Sequence, residues 1–374
     1  MWQYAKSYYD ATKANCILPH ELFSRYLSIY TGVKLPFYSK IFGRTDIGYE
    51  SDGEWAYLVA LNGKMIRGFP FSECKLSTSL KDIFKAYNCI LNLAATIETL
   101  PDGSKRLRVD KFDDLLDSTV VLSLGDIMTG VSRSLNKKYL WSEIIVGYKD
   151  QEYEALNGLG TFNGLTNLTT PLKSISTRLD LTCTFRTDDY GLEQIRRKQY
   201  KDSPTEDASG DDDIWLIDAF VDGGKLKARK TELFSKVEGI LNPESVYNLR
   251  LSPGRNLRRW GNVVHSCMPK GGVIKFGSGP KNTDLVTRLL TETKDLTEKA
   301  DVNTNDLDPA LFVPETLIIG ECPFNKEQWL SLQQNLGGIV EFENKGVKLY
   351  GYIEEMENEA AKKLANFELI RINR

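Results

Sequence analysis

Histidine is nearly absent from this chain of 374 residues: His20 and His265 are the only two. That withholds the commonest general base and metal ligand from most of the sequence. His265 stands two residues from Cys267, but neither HExxH nor a second ligand pair accompanies it, so a structural role is expected for both histidines. The six cysteines (Cys16, Cys74, Cys89, Cys183, Cys267, Cys322) form no CxxC pair. So sparse a set predicts reduced core thiols rather than a disulfide framework, and synthesis in a reducing cytoplasm. Long hydrophobic runs are also missing. The longest, such as Tyr57 to Leu61, are too short to span a bilayer, and Met1-Trp2-Gln3-Tyr4-Ala5-Lys6 lacks a signal peptide's basic-then-apolar layout. Nor does one sign of charge dominate. Lys and Arg number 48 against 51 Asp and Glu, leaving −3, so no global field draws the chain to nucleic acid or an anionic membrane.

Phosphate and nucleophile motifs are missing too. Gly158, Gly160 and Gly164 miss the GxGxxG spacing by one, and Gly277-Ser278-Gly279 is not GxSxG, so both read as turns. Asp301, Asn303 and Asn305 begin like a calcium loop, but Asp306 stands where glycine is needed and Phe312 where a bidentate glutamate is needed. Asp211-Asp212-Asp213 and the set Asp113, Asp114, Asp117 read as solvated carboxylates without a defined partner. No catalytic residue, metal site or cofactor follows from these patterns. Acid–base pairs are spatial, so a carboxylate-pair hydrolase stays open as an alternative.

What is present is an ordinary globular composition, 41% hydrophobic and 26% charged, arranged as helices that run into hairpins. The fold class expected is α+β and β-rich: several small β-barrel or sheet domains with short amphipathic helices. The first region, 1–75, opens with a helix carrying Leu22, Phe23, Tyr26, Leu27 and Tyr30, stopped at Gly32. Strand-like runs on either side of Asn62-Gly63 then predict a hairpin. The region 76–240 contains a first helix–hairpin unit, 79–109. Ser79 caps its helix, Leu80, Ile83, Phe84 and Tyr87 form its apolar face, and Pro101-Asp102-Gly103 turns its strands. Beyond it come a strand-rich section to Arg186, a short helix near 189–199, an exposed acidic loop at 200–213 and a buried strand from Ile214 to Phe220.

The region 241–310 is read as a strand from Ser245 to Leu251, a helix capped by Ser252-Pro253, and a mobile insertion at 278–308 with a helix around Leu285 to Lys299. The region 311–374 holds the second helix–hairpin unit. Asn325 and Gln328 have capping-box spacing, Phe324 and Trp329 occupy the staple positions, and Gly337-Gly338 stops the helix. Asn344-Lys345-Gly346 turns one strand into the next, and Ala365 to Ile372 is the last strand.

Basic residues make the one candidate interaction patch. Arg255, Arg258 and Arg259 fall at helical spacing beside Trp260, with Arg250 on the segment before, and Arg196, Arg197 and Lys198 end an earlier helix. Phosphate contact suits such a face; so do the macrodipole and salt-bridged subunit contacts.

The segment Leu80-Lys81-Asp82-Ile83-Phe84 through Leu107-Arg108-Val109 resembles a helix–hairpin piece of phage tail-hub and baseplate proteins. Val347-Lys348-Leu349-Tyr350-Gly351-Tyr352-Ile353 followed by Phe367-Glu368-Leu369-Ile370 is similar in style to structural proteins of phages infecting Bacteroidetes. So is Tyr247-Asn248-Leu249-Arg250-Leu251-Ser252-Pro253 with its Arg-Trp helix. The resemblance covers about a third of the chain. It implies a non-enzymatic virion component, assembled in the host cytoplasm, that builds an oligomeric ring or adaptor with copies of itself and neighbouring virion proteins. It carries over no catalytic residues. A glycan- or surface-ligand-binding module using exposed aromatics is the first alternative, and the hydrolase the second.

Overall fold

The computed structural model describes residues 13–32, 36–100, 102–127, 130–148, 163–188, 191–192, 195, 210–232, 245–269, 271–277, 286–359 and 361–374. The chain begins with helix α1 (Pro19–Thr31), which has proline in its first turn and buries Leu22, Phe23 and Leu27 before Gly32 ends it at φ 63°. Helix α2 (Gly63–Ile66) follows strand β2 (Leu58–Asn62), and this corrects the Asn-Gly hairpin. The Asn62 side chain accepts from the Met65 amide and caps α2. Every residue of β2 is buried, so it needs a partner that a local hairpin cannot supply, and it pairs instead with β10 (Ile214–Asp222). A Cβ on Gly63 would collide with the Gly210 carbonyl, so glycine serves a close approach here and not a turn.

The first helix–hairpin unit forms as read. Helix α3 (Leu80–Leu91) has the Ser79 hydroxyl on the Asp82 amide, and strands β3 (Leu93–Thr99) and β4 (Lys105–Lys111) pair in antiparallel register. Strand β1 (Phe37–Tyr38) adds parallel to β4. Next to this lies a five-stranded sheet in the order β17 (Val302–Asn303), β14 (Val273–Phe276), β8 (Thr166–Thr169), β7 (Glu143–Tyr148), β9 (Arg178–Cys183). A third sheet sets β10 between β2 and β11 (Lys225–Ala228), and β12 (Lys230–Glu232) pairs with β13 (Ser245–Tyr247). One large apolar core runs through these elements, joining residues from Leu22 to Leu307.

Helices α4 (Pro253–Arg259) and α5 (Gly261–Ser266) cross this core, with Ser252 capping α4 and Pro253 at its first turn. The strand expected from Ser245 to Leu251 stops at Tyr247. Asn248 turns left-handed at φ 62°, and its amide bonds the Thr187 and Leu216 carbonyls. The helix expected around Leu285 to Lys299 is replaced by a small hairpin of β15 (Val286–Thr287) and β16 (Leu296–Thr297). Four threonines disfavour a helix in this stretch, and Glu292 and Glu298 are both drawn to Arg255. Most of the 189–199 helix and residues 200–209 of the acidic loop lie outside the described residues, as do Pro101, Gly158, Gly160, Ser278, Gly279 and Arg196 to Lys198. At the end of that loop Asp212 is exposed as expected, but Asp211 is buried against Arg67.

The C-terminal sheet has the order β5 (Val120–Asp126), β19 (Ile339–Asn344), β20 (Val347–Glu359), β21 (Leu364–Ile372), β18 (Glu315–Pro323), β6 (Val131–Leu135). Its outer strands are consecutive in sequence. A flat six-stranded sheet would hold them about 24 Å apart, whereas the five residue steps from Asp126 to Val131 span at most about 18 Å. The sheet is therefore rolled, and segment 120–135 supplies both edges: β5 lies parallel to β19 and β6 antiparallel to β18. Among the described residues no ladder joins β5 to β6, and none of the sheets closes into a barrel. Helix α6 (Lys326–Gln334) sits against β5, with the capping box formed and the Phe324 and Trp329 rings edge to face at 6.5 Å. The fold is α+β and β-rich, as expected, built from several small separate sheets.

Candidate functional site

Among the described residues the arginines of the patch turn inward to partners within the protein. Arg255 is buried and grips two carboxylates: Glu292 by a fork of 2.8 and 2.5 Å and Glu298 at 3.0 Å. Burial opposes ionisation of Glu292, but hydrogen bonds from Arg255 and the Leu289 amide win and hold its carboxyl below the usual range. Burial dominates at Glu298 and raises its pKa, although Arg255 and Thr287 bond to it. Arg258 donates to the Gly254 carbonyl at 3.0 Å. Arg250 and Arg259 cover the Trp55 ring, their Cζ atoms 4.0 and 4.6 Å from its centroid. Arg250 also reaches Asp218 at 3.2 Å, while burial lowers the Arg259 guanidinium to about 10. These residues fasten α4 to the core and to the 286–297 hairpin.

The other chemistry-bearing groups also serve the fold. His20 lies edge-on to Phe37 and Tyr49 and meets the Tyr49 hydroxyl at 3.1 Å, and His265 meets the Asp308 carbonyl at 2.9 Å. All six cysteines are free. Burial pushes the Cys89 thiol up to about 11 and raises those of Cys183 and Cys267 further. Asp301, the first residue of the apparent calcium loop, accepts from the Phe276 amide at 2.9 Å and Lys275 at 3.0 Å. Among the described residues no group of three His, Cys, Asp or Glu side chains is placed to hold a metal ion. No helix of the described residues is long and apolar enough to cross a membrane.

The β3–β4 hairpin is the feature with unspent surface. Its two faces differ because side chains alternate. One face is a polar ladder: Glu98 bonds Arg106 at 2.7 Å and Arg108 at 2.9 Å, Arg108 reaches Asp110 at 2.6 Å, and Arg106 lies 3.9 Å over Tyr38. Burial works against the Glu98 charge, but the two arginines outweigh it and keep its carboxyl below the usual range. The other face carries Leu93, Ala95 and Ile97 opposite Lys111, Val109 and Leu107. Helices α1 and α3 cover only its inner half. An apolar groove of about 500 Å³ remains between Phe23, Leu80, Phe84, Ala95, Leu107 and Val109. Tyr30 on the groove's wall is 64% exposed, and Ile97 beyond it 59%. The alternation of Leu93, Ala95 and Ile97 was the available sequence signal for this face; how far the helices would cover it was not.

A second and larger cleft, about 850 Å³, opens at the seam of the rolled sheet, between Leu124, Asp126 and Ile127 on one side and Glu321, Cys322 and Phe324 on the other. Asp126 and Glu321 are both exposed. This is a broad, open seam with its carboxylates on the surface.

No protein-family model matches the chain, and no curated protein matches it. A solved structure described as a topological model of the p2 virion baseplate in activated conformation aligns with 78% of this chain at 9% identity, with a TM-score of 0.16. This chain spans about half of that one, 53% of its length. At that TM-score the likeness carries no argument about fold or function.

Proposed function

We propose that the chain is a non-enzymatic structural subunit of a phage tail or baseplate, an oligomeric ring or adaptor component located in the virion. The half-covered apolar face of the β3–β4 hairpin carries the reading. An amphipathic hairpin with a bonded polar face gains nothing by leaving Ile97 in water beside an open apolar groove, whereas a neighbouring virion subunit seated there would cover both. The resemblance of the same unit to tail-hub pieces supports the assignment. So does the use of the arginines, thiols and histidines to fasten elements together. The chain's work in this reading is geometric: small sheets fixed to one core present faces to adjoining subunits.

Purified particles of the parent phage test this directly. The chain should be present at a fixed copy number, and Ile97→Glu should leave the isolated fold intact by circular dichroism while removing the protein from particles. Absence of the wild-type chain from purified particles would sink the reading.

A further inference from the structure

Among the strand edges without a ladder partner in the described residues, two carry opposite charge. Strand β11 pairs on one side only, with β10. Its residues Lys225, Leu226, Lys227 and Ala228 are all exposed. Strand β20 outruns its neighbour: β19 stops pairing at Tyr352, while β21 follows β20 to Glu359. Along that overhang Glu355, Glu357 and Glu359 are exposed.

We infer that these edges are made for each other, so that β11 of one copy adds to the β20 overhang of the next. The partner is thus a second copy of this chain in a head-to-tail arrangement, and the inference rests on the structural-subunit reading. Lys225 and Lys227 sit two residues apart, as do Glu355, Glu357 and Glu359. That spacing puts each set on one face at a repeat of about 6.6 Å, and cross-strand neighbours approach to about 5 Å. A four-residue ladder therefore sets both lysines against two glutamates, while the free backbone groups of both edges are satisfied. The charges also weigh against pairing of like edges: lysine on an edge strand repels another copy of that edge, and the glutamate edge does the same, so of these two edges the unlike contact is favoured. An unlike contact repeats from copy to copy and closes a ring where the rotation permits. Existing surface pairs, Lys227 with Asp222 and Glu359 with Lys362, are of the weak exposed kind and exchange readily.

Sedimentation velocity on the full chain tests the contact through charge reversal. The wild type should self-associate, more weakly as salt rises. K225E/K227E and E355K/E357K should each lose self-association at least tenfold, because each then has two edges of one sign. Mixing those two variants, or combining all four changes in one chain, should restore it. A wild type that stays monomeric at every concentration, reversals that associate as well as wild type, or a fourfold variant that fails to recover while retaining its circular dichroism spectrum would each overturn the inference. Presence in particles with indifferent reversals leaves the subunit reading standing and removes this contact. Charge-dependent association of a chain absent from particles does the opposite.

Discussion

The Arg67 guanidinium and the Asp211 carboxylate meet at 2.5 Å with both side chains withdrawn from solvent. The pair ties the end of the acidic segment to the residue that follows α2. Removing one side chain takes an ion-pair partner from a buried charge, a change that costs about 3–5 kcal/mol in such pairs. Arg67→Met or Asp211→Leu alone should therefore lower stability by that order in urea unfolding. The double variant should lose clearly less than the sum, because an apolar pair replaces both charges.

The Arg255 clamp gives opposite pH behaviour at its two glutamates. The Glu292 pKa is lowered in the fold, so its contribution is present above the ordinary glutamate value near 4.3 and is lost as pH falls through the folded value. The Glu298 pKa is raised, so its contribution is present below that ordinary value and is lost as pH rises through the folded one. At neutral pH Glu292→Gln should destabilise the protein. Glu298→Gln, which keeps an acceptor for Arg255 and removes a costly buried charge, should be neutral or stabilising. Thermal melts from well below the ordinary glutamate value up to neutral pH check the signs.

The helix of the second unit depends on its cap. Asn325 accepts from the Gln328 amide at 2.9 Å, and the Gln328 side chain returns the bond at 2.9 Å. Asn325→Ala should cost about 1 kcal/mol and Asn325→Gly only a few tenths. Hydrogen exchange should accelerate first along α6.

The double glycine after that helix has a different duty from the one its sequence suggests. Helix α6 ends at Gln334, with Asn335 as its C-cap. A Cβ on Gly337 would run into the Leu115 carbonyl, and one on Gly338 into the Val121 side chain. The glycines let the chain pass close under the segment that enters β5. Gly338→Ala should cost about 1–3 kcal/mol, the usual penalty of overpacking. Gly346→Ala should also destabilise, for another reason: this turn residue has open space around it but φ 78°.

These cases mark what could be read from the sequence. The α6 capping box, the Ser79 and Ser252 caps and the Lys345-Gly346 turn involve residues within a few positions of one another, so local patterns sufficed. The Asn62-Gly63 signal failed because its outcome depended on β10, far along the chain, which pairs the edge of β2, and on two apolar clusters that bury its faces, Leu58 and Ala60 in one and Val59 and Leu61 in the other. The arginines of α4 and Arg250 before it showed spacing but not direction, because their partners, Glu292 with Glu298, Asp218, and Trp55, come from three separate segments. For the same reason the apolar groove was legible as alternation but not as a surface. Coverage by α1 is a tertiary fact.

The rolled C-terminal sheet sets an order of events. Strands β5 and β6 are made early, yet β19 and β18, which flank them, follow only after the central sheet and the α4–α5 segment. During synthesis the 120–135 segment must wait as two unpaired edges while the chain between them and β18 becomes compact. Each remote ladder closes at a loop-entropy cost that local hairpins do not meet. The β20–β21 hairpin can form as soon as it emerges, so the last step of maturation is the docking of an old segment onto a new one. Emergence of β18 to β21, rather than collapse of the larger core, is then the event that completes this sheet.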